Sequence, residues 1–131
     1  MQMKITFPGG LRVNAQLGEQ VIATDQGVAS GGEGSAPEPF TLFMASIGTC
    51  AGIYVLSFCK NHGLPTEGVY LTQEMRYDHA ERRMAKIDLK VHVPADFPEK
   101  YHRALEKSAE LCAVKRALVN PPEITVNTVA D

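Results

Sequence analysis

The sequence predicts an α+β fold, with an antiparallel sheet, a central buried cysteine-bearing helix and a second helix. The predicted elements follow the order strands, helix, strands, helix, strand, which differs from the regular alternation of a wound parallel sheet. The longer strands alternate apolar and polar residues, as expected for a sheet with one face in water. The length of 131 residues is typical of one domain, so we expect a single domain over residues 1–131.

The first 37 residues predict a small sheet followed by a loop. Short alternating runs at residues 3–7, 11–17 and 20–24 are separated by glycine-containing turns and predict an antiparallel meander. Residues 25–37 are rich in glycine and lack apolar periodicity, which predicts a long loop. A domain linker is the alternative, but the first 24 residues are too few to form a domain.

An uncharged segment of 21 residues runs from Pro39 to Cys59. It is long enough to cross a bilayer, but glycine and hydroxyl residues interrupt it and strand-like sequence follows. We therefore expect a helix that begins at Pro39, is buried on most sides, and ends near Gly63. Gly48 and Gly52 are four residues apart on one face of this helix, which suggests close approach of another segment there.

The second half of the chain predicts two strands, a helix and a last strand. Residues 69–77 and 87–93 alternate apolar and polar side chains and should form a hairpin. Residues 98–118 have helical periodicity, and a Pro-Pro pair follows them. Residues 123–129 predict the last strand.

Composition and charge exclude several function classes. With 13 basic and 15 acidic residues the net charge is −2, which argues against nucleic acid as a partner. The first residues have no apolar signal core, so we expect a cytoplasmic protein with reduced thiols. The four histidines share no ligand spacing with one another or with the three cysteines, so we expect neither a metal site nor a cofactor.

The three cysteines differ in their surroundings. Cys50 lies inside the apolar helix, and Cys112 opens a short helical stretch 62 residues later. Cys59 follows Cys50 by nine residues, which at 100° per residue places it on the opposite side of the helix. A buried cysteine most often acts as a small apolar side chain, and we interpret Cys59 in this way. Cys50 and Cys112 can share a site if their helices pack together.

Two motifs then identify a family. The segment PEPFTLFMASIGTCAGIYVLSFCKNHGLP resembles the first-cysteine helix of the osmotically inducible protein C / organic hydroperoxide resistance (OsmC/Ohr) family. The segment Cys112-Ala113-Val114-Lys115-Arg116-Ala117-Leu118 is similar to the second-cysteine motif of that family. The spacing and the order of strands fit as well, so the resemblance spans nearly the whole chain.

The resemblance implies an OsmC-like fold and a thiol peroxidase that reduces organic hydroperoxides. In the family, the thiolate of the first cysteine attacks the peroxide and becomes a sulfenic acid, and the second cysteine condenses with it to a disulfide that an external dithiol reduces. This mapping makes Cys50 the peroxidatic residue and Cys112 the resolving residue. The resemblance also implies an intertwined homodimer with active sites at its interface, in which a partner chain covers the exposed side of the helix.

The resemblance further implies a cation beside the first cysteine, because a free thiol is mostly protonated at pH 7 and burial raises its pKa further. In the family this cation is an arginine of the N-terminal meander, which a glutamate holds in place. Arg12 is the candidate arginine, with a solvated strand arginine as the alternative. Arg116 is a second candidate cation, one helical turn after Cys112, and an ordinary helix-end charge is the alternative for it.

The family glutamate is absent at its expected place. It follows the helix-opening proline directly or by one further residue, and Phe40 and Thr41 stand there. Glu38 and Glu33 are the nearby carboxylates, and neither matches in register.

Apolar residues surround Cys50 in the sequence and favour an alkyl hydroperoxide over hydrogen peroxide. These candidate substrate-binding residues are Phe43, Ile47 and Tyr54, with Ile53 beside them. The missing glutamate keeps an alternative open, in which the protein is no peroxidase and binds a small apolar or thiol-reactive ligand at the dimer interface.

Overall fold

In the computed structural model, which describes residues 1–130, the chain forms antiparallel sheets and α-helices, so the α+β class is confirmed. The elements are β1 (Lys4–Gly9), β2 (Arg12–Leu17), β3 (Gln20–Thr24), α1 (Pro39–Asn61), β4 (Tyr70–Asp78), β5 (Arg83–His92), α2 (His102–Ala109) and α3 (Ala113–Val119). Residues 1–45 form one compact unit and the residues from 46 onward form a second. The single domain over residues 1–131 stays a prediction.

The first unit contains the predicted meander. Strands β1, β2 and β3 pair antiparallel in chain order, with Ile5 opposite Ala15 and Ala15 opposite Ile22. Gly10 and Gly18 have φ of 58°, a left-handed conformation that glycine adopts without strain. The sequence prediction for residues 3–24 is therefore confirmed.

Asp25 organises the glycine-rich loop that follows β3. The side chain is 1% exposed. Its carboxylate accepts hydrogen bonds from the Ser35 hydroxyl at 2.7 Å, from the Ser35 N–H at 3.0 Å and from the Gln26 N–H at 2.8 Å. These bonds, with those from Ser35 the strongest, lower the pKa of Asp25 from 3.8 to about 2. Its ionised form thus stabilises the loop above pH 3.8, and this stabilisation is lost as the pH falls through about 2.

Helix α1 begins and ends where the sequence predicts. Pro39 is its first residue, a position at which the missing N–H of proline costs nothing. After the last turn Gly63 has φ of 63°, and the Leu64 N–H returns to the Cys59 carbonyl at 2.9 Å. This left-handed glycine satisfies the carbonyls at the end of the helix.

The expected burial of α1 on most sides is found on one face only within the single chain. Its buried stripe in the second unit consists of Ile47, Ala51, Val55 and Cys59, whereas Thr49, Ile53 and Ser57 on the opposite face are exposed. The core of one chain covers a single face of a surface helix, and the uncharged opposite face is left in contact with solvent. By length and composition α1 could also cross a membrane, a test that the core helices of water-soluble proteins pass as well.

The two glycines of α1 have different neighbours. A Cβ atom at Gly48 would lie 2.7 Å from Oε1 of Gln73 on β4, the end of a flexible side chain that would have to shift. A Cβ atom at Gly52 would meet nothing within 4 Å. The close approach of another backbone or helix, predicted from these two glycines, is not found in the single chain, where the near neighbour of Gly48 is a side chain and Gly52 has none within 4 Å.

The second unit is built on the predicted hairpin and a small core. Strands β4 and β5 pair antiparallel, with Gln73 opposite Leu89. Beneath them the core consists of Val55 and Cys59 from α1, Phe97, and Leu105 from α2. Partly buried side chains of the hairpin and of α2 complete this core, which fixes α1 against the rest of the unit.

The predicted helix over residues 98–118 is wrong as one helix. The structure divides it into a 3-10 turn (Glu99–Tyr101), α2 and α3, with a break at residues 110–112. Cys112 has φ of −47° and ψ of 123°, an extended conformation that ends the helical path. Its Sγ accepts the Lys115 N–H at 3.4 Å and thereby caps α3.

The predicted strand over residues 123–129 is also not formed. Residues 121–130 have no regular secondary structure, and Ile124 and Val126 are 83% and 92% exposed. A strand needs a hydrogen-bonded neighbour, and the described sheets, β1-β2-β3 and β4-β5, contain no pairing with this segment. The apolar alternation is therefore left without a partner in the single chain.

Candidate active site

The second unit brings Cys50 and Cys112 together. Cys50 lies on α1 and is partly exposed, whereas Cys112 is 1% exposed at the start of α3, and both are free thiols. The Cys112 thiol donates to the Ile47 carbonyl, one turn before Cys50, at 3.9 Å, and its side chain lies close enough to that of Cys50 to shift the pKa of both. The break between α2 and α3 therefore places the second sulfur directly beside α1.

Backbone N–H groups of the first turn of α3 are directed at these two sulfurs. The Val114 and Ala113 N–H groups lie close enough to Cys50 to stabilise its thiolate, and the Lys115 N–H donates to Sγ of Cys112. N–H groups at the start of a helix have no carbonyl partner within the helix, so they are free to bind a thiolate. The site thus supplies several donors to a negatively charged sulfur.

These contacts shift the pKa values of the two thiols in opposite directions. The pKa of Cys50 is lowered most by the Val114 N–H. The Cys112 side chain, the Ala113 N–H and the positive charge of Arg116 lower it further, and partial burial opposes them. Burial raises the pKa of Cys112, and the neighbouring Cys50 raises it further. Cys50 is therefore the sulfur that ionises first, and Cys112 stays a thiol beside it.

Such a pair can perform thiol redox chemistry. A thiolate with a lowered pKa that is partly exposed is the common form of a reactive cysteine, and an adjacent thiol can condense with it once it is oxidised. Among residues 1–130, no group of three or more His, Cys, Asp or Glu side chains is arranged to hold a metal ion.

Comparison with known proteins gives the family. Residues 32–127, which contain both cysteines, match the family described as OsmC-like protein. The chain belongs to the OsmC-like family. No curated protein sequence matches it.

Solved structures of OsmC and Ohr proteins share the fold at low sequence identity. A protein of Psychrobacter arcticus, described as an osmotic stress induced and detoxification response protein, is 20% identical with a TM-score of 0.72, over 89% of this chain and 87% of its own. The organic hydroperoxide resistance protein OsmC of Legionella pneumophila is 20% identical with a TM-score of 0.56, over 90% and 89%. An organic hydroperoxide resistance protein of Vibrio cholerae, with captopril bound in one of its active sites, is 17% identical with a TM-score of 0.57, over 92% and 86%.

The arginine and carboxylate that the OsmC-like resemblance suggests lie in the first unit. Arg12 is exposed on β2, and its Nε donates to the Gly9 carbonyl at 3.2 Å. Oε1 of Glu38 accepts the Gly27 N–H at 2.9 Å and so helps to hold the glycine-rich loop, in which Glu33 donates its N–H to Asp25 at 3.3 Å. The described contacts of Arg12 and Glu38 are thus local to their own unit.

The predicted substrate-binding residues have different surroundings. Phe43 is exposed, with its ring 5.6 Å from that of Phe40. Ile47 is 4% exposed and provides the carbonyl that Cys112 contacts. Tyr54 is half-buried on α1, one turn after Cys50.

Sequence reasoning missed the main donors to Cys50. The backbone N–H groups of Ala113 and Val114 are available only because α3 begins anew after Cys112, and a continuous helix over residues 98–118 would have used them internally. The sequence signal was Cys112 itself, since a side chain that accepts a hydrogen bond can occupy the position before the first turn of a helix. Arg116, the second candidate cation, is the charged side chain that acts on Cys50 in the described structure.

Proposed function

We propose that this protein is a cysteine-based thiol peroxidase that reduces organic hydroperoxides. The observation that carries the proposal is the Cys50 sulfur, which lies at the Val114 and Ala113 N–H groups and beside the Cys112 thiol. Membership in the OsmC-like family and the shared fold with organic hydroperoxide resistance proteins support the same chemistry.

The reaction proceeds in two steps at the two sulfurs. The Cys50 thiolate attacks one oxygen of the hydroperoxide, the O–O bond breaks, and the alkoxide takes a proton to leave as an alcohol. Cys50 becomes a sulfenic acid. The Cys112 sulfur then attacks the Cys50 sulfur, water leaves, and a Cys50–Cys112 disulfide forms. An external dithiol reduces this disulfide and is itself oxidised to a disulfide.

The two sulfurs are assigned by their surroundings. Cys50 is partly exposed and has the lowered pKa, so it is the nucleophile that meets the peroxide. Cys112 is buried and has the raised pKa, so it is protected until the Cys50 sulfenic acid forms beside it. The apolar side chains of Ile47 and Tyr54, one turn before and one turn after Cys50 on α1, favour an alkyl group on the peroxide. We place the reaction in the cytoplasm, where reducing conditions regenerate both thiols.

Disulfide mapping after peroxide treatment tests the proposal. Reduced protein is treated with a small excess of cumene hydroperoxide, blocked with iodoacetamide and digested, and the peptides are analysed by mass spectrometry. We expect a Cys50–Cys112 disulfide within seconds and an unmodified Cys59. A protein that stays fully reduced, or that is oxidised only at Cys59, would refute the peroxidase.

We also propose a homodimer. The face of α1 with Thr49, Ile53 and Ser57 is uncharged and exposed, and the apolar residues of the segment 121–130 lack a partner in the single chain. A second copy would cover both surfaces and remove apolar area from water. Light scattering at micromolar concentration should give twice the mass of one chain, and the mass of a single chain would contradict the dimer.

A second candidate function is the binding of a small thiol-reactive or apolar ligand without peroxide turnover. The captopril in an active site of the Vibrio cholerae protein favours it, since this family member holds a small molecule at its site. Peroxide treatment distinguishes the two functions, because a binding protein would form no Cys50–Cys112 disulfide. Its bound ligand would instead protect Cys50 from alkylation by iodoacetamide.

A further inference from the structure

A cavity of about 640 Å³ lies beside Cys112 in the second unit. Its walls come from α1, β5, α2 and α3, and it runs along β5 over five consecutive residues, 87–91. The residues that line the cavity include Ile47, Leu89, Val91, Cys112, Lys115 and Leu118. Cys112 is only 1% exposed but is one of the lining residues, whereas Cys50 is not, so a small molecule in this cavity lies beside Cys112.

The lining of the cavity is apolar with charged side chains among it. Ile47, Leu89 and Leu118 present aliphatic surface, and the charged lining residues are Lys90 and Lys115 together with Asp88, Glu106 and Glu110. A small neutral thiol with a carbon chain can bury its chain against the aliphatic surface, and its thiolate is attracted by the Lys115 ammonium group. The mechanism proposed above assigns no role to this cavity.

We propose that the cavity receives the reducing dithiol, and that the dithiol attacks Sγ of Cys112 in the oxidised protein. This inference rests on the proposed function, since it concerns the disulfide formed there. One thiolate of the reductant forms a bond with Sγ of Cys112, the Cys50–Cys112 bond breaks, and Cys50 leaves as a thiolate. The second thiolate of the reductant then attacks the sulfur of the reductant that is joined to Cys112. Cys112 is released and takes a proton, and the reductant leaves as a cyclic disulfide.

The contacts around Cys50 explain why Cys112 is the sulfur attacked. In thiol–disulfide exchange the sulfur that forms the more stable thiolate leaves faster. The Val114 and Ala113 N–H groups are positioned to receive the departing Cys50 sulfur. Departure of Cys112 in the first step would instead create a thiolate that burial disfavours, whereas in the proposed order Cys112 departs only in the second, intramolecular step and takes a proton. Both the access route and the leaving group therefore favour the same direction of attack.

Trapping with a monothiol tests the direction. In a Cys59→Ala background the Cys50–Cys112 disulfide is made with diamide, without peroxide, so that failure of the peroxidase does not affect the result. A brief pulse of 2-mercaptoethanol is quenched with iodoacetamide, and the peptides are mapped by mass spectrometry. We expect the mercaptoethanol adduct on Cys112 and the alkyl group on Cys50. The reverse labelling would overturn the inference, and so would the absence of a diamide-induced disulfide between these cysteines.

Filling the cavity tests the route. Leu118→Trp and Leu89→Trp place a large ring in it, and Ala85→Trp adds the same ring on β5 outside the lining residues as a matched control. We expect dithiothreitol to reduce the diamide-formed disulfide of the first two variants at least fivefold more slowly than that of the control. Equal rates in a cavity variant that melts like the control would show that the reductant does not enter here.

Discussion

Cys50 and Cys59 lie on one helix, nine residues apart, and their sulfurs have opposite surroundings. Cys50 is partly exposed and lies near the Val114 and Ala113 N–H groups, which lower its pKa. Cys59 is 0% exposed between Val55, Phe97 and Leu105, and burial raises its pKa. The same residue type on the same element thus becomes a candidate nucleophile at one position and a core side chain at the other.

The difference shows what decides the chemistry of a thiol here. Both cysteines are inside α1, whose charged residue, Lys60, stands next to Cys59 and not next to Cys50, so charge nearby in the sequence does not explain the lowered pKa of Cys50. Cys50 meets the first turn of α3, where backbone donors are unsatisfied, whereas Cys59 meets apolar side chains that provide no donor. The reactivity is therefore set by the element that packs against each face of α1.

Replacement of each cysteine should give the largest contrast. We expect Cys50→Ser to lower the rate of cumene hydroperoxide consumption by at least about a thousandfold, because the nucleophile is lost. Cys59→Ala should keep the wild-type rate, since its sulfur lies in the core. A stopped-flow assay with excess dithiothreitol measures both variants. Unchanged turnover by Cys50→Ser would remove Cys50 from the mechanism.

Alkylation should distinguish the two thiols without any peroxide. Thiolates react with iodoacetamide and thiols do not, so the lowered pKa of Cys50 should move the midpoint of its rate–pH curve below the usual value of about 8.5. At pH 7 we expect Cys50 to react about tenfold or more faster than a free cysteine, and Cys59 to stay unlabelled in the folded protein. Mass spectrometry of timed samples gives the rates, and a Cys50 midpoint at or above 8.5 would contradict the proposed stabilisation.

Removal of one backbone donor should raise the pKa of Cys50, the direction of shift found for Cys59. Ala113→Pro deletes the N–H that donates to Cys50, and proline fits the first position of α3 because the preceding Cys112 is already extended. The pKa of Cys50 should rise, and its alkylation at pH 7 should slow by about three- to tenfold. Ala113→Ser keeps the N–H and is the matched control. Equal alkylation rates for the two variants would show that this donor does not stabilise the thiolate.

Removal of a cation should have the smallest effect. Arg116 lowers the pKa of Cys50 through its charge, so Arg116→Ala should slow alkylation at pH 7 by about twofold at low salt and by less at high salt. Arg12→Ala tests the arginine implied by the family resemblance in the same assay. A larger change for Arg12 than for Arg116 would show that the main cation comes from the N-terminal sheet.

Much of the fold could be predicted from the sequence because its signals are local. The meander of residues 3–24, the hairpin of β4 and β5, and the start of α1 at Pro39 and its glycine cap at Gly63 depend on alternation and on turn residues that act within a few positions. The break before α3 could not be predicted in this way. The apolar spacing continues through residues 110–112, so periodicity alone predicts a continuous helix, and the sequence signal for a new start at this point was Cys112, which caps α3 in the structure.

The sequence by itself determined that Cys50 and Cys59 face opposite sides of α1, because the rotation of a helix per residue is fixed. Its two cysteine motifs also indicated the OsmC-like family, to which the chain belongs. Only the tertiary structure decided which groups meet each sulfur. Backbone N–H groups have no side-chain identity in the sequence, so their direction towards Cys50 depends on where α3 begins and on how it packs against α1.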